Sequence, residues 1–182
     1  MNKKQKTTVR WITETAVLTA LLVALQAITK PLGQYVTGSC VNAVLVLAVL
    51  VAGLYSGLTV ALVSPVMAFL LGVAPNPFVV PAIMVGNTVY VLVLHFVCHN
   101  RKQRKFLPLA VTGWLLSAAA KFATLYLIVV QLMCGVLADS FGKGFPAKML
   151  QVTFSWPQLI TALIGGAVAL SVVPVLKRIL KR

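Results

Sequence analysis

Lys121 stands inside an otherwise apolar stretch, "LLSAAAKFATLYLIVV", and is the residue whose chemistry is hardest to explain away. An ammonium there costs several kcal/mol unless it is paired or wetted, and ionisable residues inside membrane segments are usually functional. Its natural counter-charge is scarce, because Glu14 and Asp139 are the only carboxylates in 182 residues. A substrate carboxylate or phosphate, or the backbone carbonyls of an unwound helix, could serve instead. A purely structural hydrogen bond stays open as the alternative. Trp114, Ser117, Thr124 and Gln131 fall near the same helical face at a 3.6-residue period, so that face is expected to point inward. Asn87 and Tyr90 are further interior candidates on the preceding apolar stretch.

Other chemistries fail on composition. Two lone acids give no paired-carboxylate catalysis and no acidic Mg²⁺ site. "GVLADSFGKG" at 135–144 has the wrong spacing for a phosphate-binding loop and lacks the following Ser/Thr. "HFVCH" at 95–99 brings His95, Cys98 and His99 to one helix end, but lacks a fourth ligand and acids to orient the imidazoles. Neither a catalytic group, a metal site nor a cofactor is expected. Uphill transport would have to draw its energy from a partner.

The elements that position Lys121 follow from hydropathy. The chain is 60% hydrophobic and 10% charged, too apolar for a soluble domain to cover its outside. A helix needs roughly 20 apolar residues to cross a bilayer. Runs of that kind predict an all-α integral membrane protein of one domain, 1–182, with six transmembrane helices near 11–29, 40–55, 57–73, 79–98, 107–133 and 156–176. The third is short, and only "GLYSG" separates it from the second. Lys30-Pro31 closes the first, "APNP" at 74–77 precedes the fourth, and Trp156-Pro157 opens the sixth.

Basic residues orient these spans. Lys3, Lys4, Lys6 and Arg10, then Arg101, Lys102, Arg104 and Lys105, then Lys177, Arg178, Lys181 and Arg182 all fall on one side of six crossings. Lys30, Lys143 and Lys148 fall on the other, so twelve against three predicts cytoplasmic termini. The net charge of +14 then reflects topology and anionic lipid rather than nucleic-acid binding.

Ala16, Ala20 and Ala24, followed by Ala27, form a small-residue stripe along the first span. Such stripes let helix backbones approach closely, either within a bundle or against a partner. An AxxxA stripe on a first helix, "RWITETAVLTALLVAL" after a basic residue, "GVAPNPFVVP" after the third span, six crossings and no ATPase motif together resemble the substrate-binding S component of energy-coupling factor (ECF) transporters. The resemblance covers essentially the whole chain. It implies high-affinity capture of a vitamin or related micronutrient on the outer side. It further implies docking of Ala16, Ala20 and Ala24 on a transmembrane coupling protein, which sits on two cytoplasmic ATPases. A self-sufficient carrier or channel is the rival reading.

On that topology the outer loops are 30–39, 73–78 and 134–155, which in the family cover the pocket. Lys30, Gln34, Tyr35, Thr37, Ser39 and Asn42 lie in or beside the first, where Gly33 and Gly38 would permit tight turns. Asn76 lies in the second, and Asp139, Lys143, Lys148 and Gln151 in the third. The residues taken as substrate-binding are Lys121, Asn87, Gln34, Asn42, Asn76, Tyr90, Trp114 and Gln131. An anionic vitamin such as pantothenate follows from charge alone. Cys40 and Cys134 share the outer side, so a disulfide between them is conceivable.

Overall fold

The computed structural model describes residues 3–74, 76–99, 106–142 and 144–180. The basic cluster Arg101, Lys102, Arg104 and Lys105 lies outside them, as do Pro75, Lys143, Lys181 and Arg182. All the regular structure among the described residues is helical. Helices α1 (Lys3–Thr29), α2 (Gln34–Leu47), α3 (Leu54–Leu70), α4 (Val80–His99), α5 (Phe106–Leu125), α6 (Ala147–Thr153) and α7 (Trp156–Ile179) follow in chain order. Wider i→i+5 turns continue α2 over Ala48–Ala52 and α5 over Tyr126–Val136.

Five helical stretches are long and apolar enough to cross a membrane. The remaining apolar helix, Leu54–Leu70, has 17 residues and falls short of that length. The boundaries agree with the sequence where punctuation is strong: α1 stops at Thr29 before Lys30-Pro31, and α7 starts at Trp156 with Pro157 in its first turn. They differ at the second helix, which begins at Gln34 rather than near 40. Gly33 makes the reversal at φ 85°, in the left-handed region open to glycine. Gly38, expected in a turn, lies within the helix. Residues 34–39 are therefore wall rather than loop. The 134–155 segment likewise gains a turn at Ala138–Phe141 and the short helix α6.

Packing closes the five long helices and the shorter α3 into a ring, α1 against α2, α2 against α7, α7 against α5, α5 against α4, α4 against α3 and α3 back against α1. Leu22, Leu45, Val60, Val91, Leu94, Ala118 and Ala162 fill its interior. Outward, Leu62, Leu70, Phe96, Leu116, Leu127, Val168 and Ile179 are exposed. Apolar side chains face both ways, which suits lipid as the solvent. Together with the five long apolar helices, this identifies a multi-pass membrane protein.

Between helices in lipid, close contact replaces the hydrophobic drive. Gly165 and Gly166 provide it for α7. A Cβ on Gly165 would collide with the Ser39 carbonyl and Asn42, and one on Gly166 with the Trp114 indole. α1 is held differently, by a 2.7 Å hydrogen bond between the Thr15 and Ser56 hydroxyls and by Thr29 donating to Thr37 Oγ1 at 3.0 Å. It is the least enclosed of the five candidate spans. Ala16, Ala20, Ala24 and Ala27 all lie on its exposed side.

Candidate functional site

Lys121 is buried on α5, and its ammonium donates to Asn42 Oδ1 on α2 at 2.6 Å and to Asn87 Oδ1 on α4 at 2.7 Å. An ammonium only donates, so both amides must present oxygen to it and turn their NH₂ groups away. Those groups find hydroxyls. Asn42 Nδ2 donates to Thr161 Oγ1 at 3.3 Å, and Asn87 Nδ2 donates to Ser64 Oγ at 3.2 Å. A buried chain of polar groups thus runs across α7, α2, α5, α4 and α3. The Tyr90 ring lies 5.5 Å from the ammonium, within cation–π range, while its hydroxyl donates to the Ala162 carbonyl at 3.3 Å.

The charge is solvated but not neutralised. Both close oxygens belong to neutral amides, whereas Glu14 accepts from Arg10 Nε at 2.9 Å and Asp139 is exposed in the Ala138–Phe141 turn. Two of the three ammonium donors are thereby used, which leaves capacity for one more acceptor.

Lys121 lines a cavity with about 80 Å³ of space open to water. By this measure one water needs roughly 10–15 Å³, so there is room for a larger group. Lys121, Asn42 and Asn87 line it together with Gln26 from α1, Gln34 and Thr37 from α2, Ser64, Pro65 and Ala68 from α3, and Gln158 from α7. Val73, Ala74 and Phe154 from the connecting segments, Thr153 at the end of α6, Gly38 and Val41 on α2 and Ile83 on α4 complete the wall. Lys30 reaches over to the Leu71 carbonyl at 2.9 Å, tying the α1–α2 turn to the end of α3.

Of the eight residues expected to bind, Lys121, Asn87, Asn42 and Gln34 line the cavity. Tyr90 stands behind the ammonium. Asn76 does not line the wall; its Oδ1 accepts from the Phe78 N–H at 2.9 Å and caps a short turn. Trp114 is also outside the wall, its Nε1 donating to the Ala162 carbonyl at 3.1 Å. Gln131 is exposed and donates to the Tyr126 hydroxyl at 3.2 Å. The reason is the i→i+5 turn from Tyr126 onward, which rotates each residue less than an α-helix does and carries position 131 off the Lys121 face.

Among the outer-loop candidates, Thr37 is in the wall, whereas Asp139 and Lys148 are exposed and away from it. Cys40 and Cys134 are free thiols, so the suggested bridge is absent. Sequence reasoning passed over Gln26, Ser64 and Gln158. Gln26 carried a readable signal, an amide directly after "ALLVAL", a run of alanine, leucine and valine.

The architecture defines a multi-pass membrane protein with a cation-bearing cavity between its helices. A family described as "ECF transporter, substrate-specific component" matches residues 10–177, and the chain belongs to that family. It is therefore a substrate-specific subunit of a transporter, of the kind that works with a membrane coupling protein and ATPases. No curated protein and no solved structure matches it.

Proposed function

We propose that this chain captures an anionic micronutrient at the Lys121 cavity and delivers it across the bacterial plasma membrane, with ATP hydrolysed by partner subunits. The single observation behind this reading is the buried ammonium of Lys121, held in the cavity wall by two neutral carbonyl oxygens. A carboxylate or phosphate is the group that would complete it. Pantothenate, a vitamin with one carboxylate, is a fitting candidate.

On the same reading all six long helices cross the membrane, α3 included, with both termini cytoplasmic. The exposed alanine stripe at Ala16, Ala20 and Ala24 seats α1 on the coupling protein. Two features support this: α1 is the least enclosed span, and its small residues point outward rather than into the bundle.

The test is purification of the tagged chain from native membranes, followed by mass spectrometry of co-purifying subunits and of the bound small molecule. The account expects a coupling protein, two ATPases and an acidic compound. A lone homo-oligomer with a neutral or cationic compound would favour a self-sufficient carrier.

A further inference from the structure

Gln26 adds a second requirement on whatever enters this cavity. Its side chain is buried on α1, 2% exposed, and lines the same wall as Lys121. Gln26 Nε2 donates to the Ser64 carbonyl at 3.3 Å. A backbone carbonyl can only accept, so this contact fixes the amide orientation and leaves Oε1 as the free end. No protein group among the described residues bonds Gln26 Oε1. A buried carbonyl without a donor is costly, and such groups in native structures are satisfied by something.

The two demands are physically coupled. Ser64 gives its carbonyl to Gln26 and takes the Asn87 NH₂ on its hydroxyl, and Asn87 in turn holds Lys121. Lys121 therefore keeps a spare N⁺–H, and Gln26, whose residue lines the same cavity, keeps a buried acceptor with no protein donor among the described residues. A simple fatty acid would satisfy the first and waste the second.

Resting on the reading of this cavity as the substrate site, we propose that its substrates are acids carrying a separate hydrogen-bond donor. The acidic group sits on Lys121, and a hydroxyl or N–H donates to Gln26 Oε1. Gln26 is then the residue that separates hydroxylated or amidated acids from plain aliphatic ones. Sites built to bond a polar group reject analogues lacking it far better than apolar pockets sort by size.

Matched probes test this without knowledge of the natural substrate. Binding of ω-hydroxycarboxylates of four to eight carbons, and of the n-alkanoates of the same lengths, is measured by calorimetry on the purified full chain. At one chain length or more, the hydroxy acid is expected to bind about tenfold more tightly than its alkanoate. Gln26→Met should erase that preference, and Lys121→Met should weaken both series. The wild-type comparison needs no variant to fold. Equal binding of the two series to wild type, with affinity still dependent on Lys121, would overturn the donor requirement alone. A preference that survives Gln26→Met would overturn its assignment to Gln26. Acids that do not bind, or that bind equally well to Lys121→Met, would overturn the underlying anion site and this inference with it.

Discussion

Asn42 and Asn87 share one cation, each giving its Oδ1 to Lys121 Nζ, at 2.6 and 2.7 Å. They come from α2 and α4, so the ammonium on α5 ties three helices at one point beside the cavity. Neutral amides solvate the charge without cancelling it, which keeps the positive potential available to an incoming anion. Asn87→Asp tests this directly. A carboxylate at that distance would neutralise the ammonium from within, so thermal stability should hold or rise. Affinity for an acidic ligand should fall at least about tenfold, because a charge-assisted bond is lost to an internal competitor. Unchanged affinity in calorimetry would show that the ammonium does not read the ligand.

Gly166 predicts a packing effect. Gly166→Ala places a methyl group against the Trp114 indole, and Gly165→Ala places one against Ser39 and Asn42. Overpacking of this kind costs about 1–3 kcal/mol. Thermal unfolding in detergent should show both variants destabilised. Gly165→Ala should also lose ligand affinity, since it displaces Asn42. Stability equal to wild type would mean that α7 can retreat without cost.

How much of this was visible in the sequence depends on the kind of signal. Lys121 stood out in the sequence because a charge in an apolar run needs either a ligand or a structural partner; Asn87 was expected in the interior and Asn42 beside the first outer loop, and the fold brings both to the ammonium. Helix ends marked by Pro, at Lys30-Pro31 and Trp156-Pro157, were placed within a few residues. Gln131 was misplaced because the face was projected with a constant 3.6-residue period, and nothing local announces the i→i+5 turns after Tyr126. Asn76 and Trp114 were polar groups in the right neighbourhood that the fold spends on a turn cap and on the Ala162 carbonyl. The early start of α2 at Gln34 was missed because glutamine, threonine and serine look like a loop, although Gln34 and Thr37 line the cavity and Ser39 donates back to the Tyr35 carbonyl of the same helix.

The alanine stripe predicts a separation of functions. Ala16→Trp, Ala20→Trp or Ala24→Trp adds bulk on the exposed side of α1, where the bundle has nothing to clash with. Ligand binding by the isolated chain should stay within about twofold, and unfolding temperature should not move, as is usual for surface substitutions. Uptake by cells should collapse because close helix approach is blocked. Parallel loss of binding and uptake would assign the stripe to internal packing.

Orientation follows from the basic residues. In a cysteine-free background, Lys143→Cys should react with a membrane-impermeant maleimide in intact cells, and Lys102→Cys should react only after lysis. Both positions lie outside the described residues. The opposite pattern would invert the topology.

The central claim is that Lys121 meets the negative charge of the substrate, and one measurement addresses it most directly. The small molecule that co-purifies with the chain is identified by mass spectrometry, and its affinity is compared between wild type and Lys121→Met by calorimetry. Methionine keeps much of the apolar stem while deleting the ammonium. The expected result is an acidic molecule whose affinity drops ten- to a hundredfold, matching the loss of a charge-assisted hydrogen bond of about 1.5–3 kcal/mol. Equal affinity of the two proteins for that molecule would contradict the account and leave Lys121 as a structural tie between α2, α4 and α5.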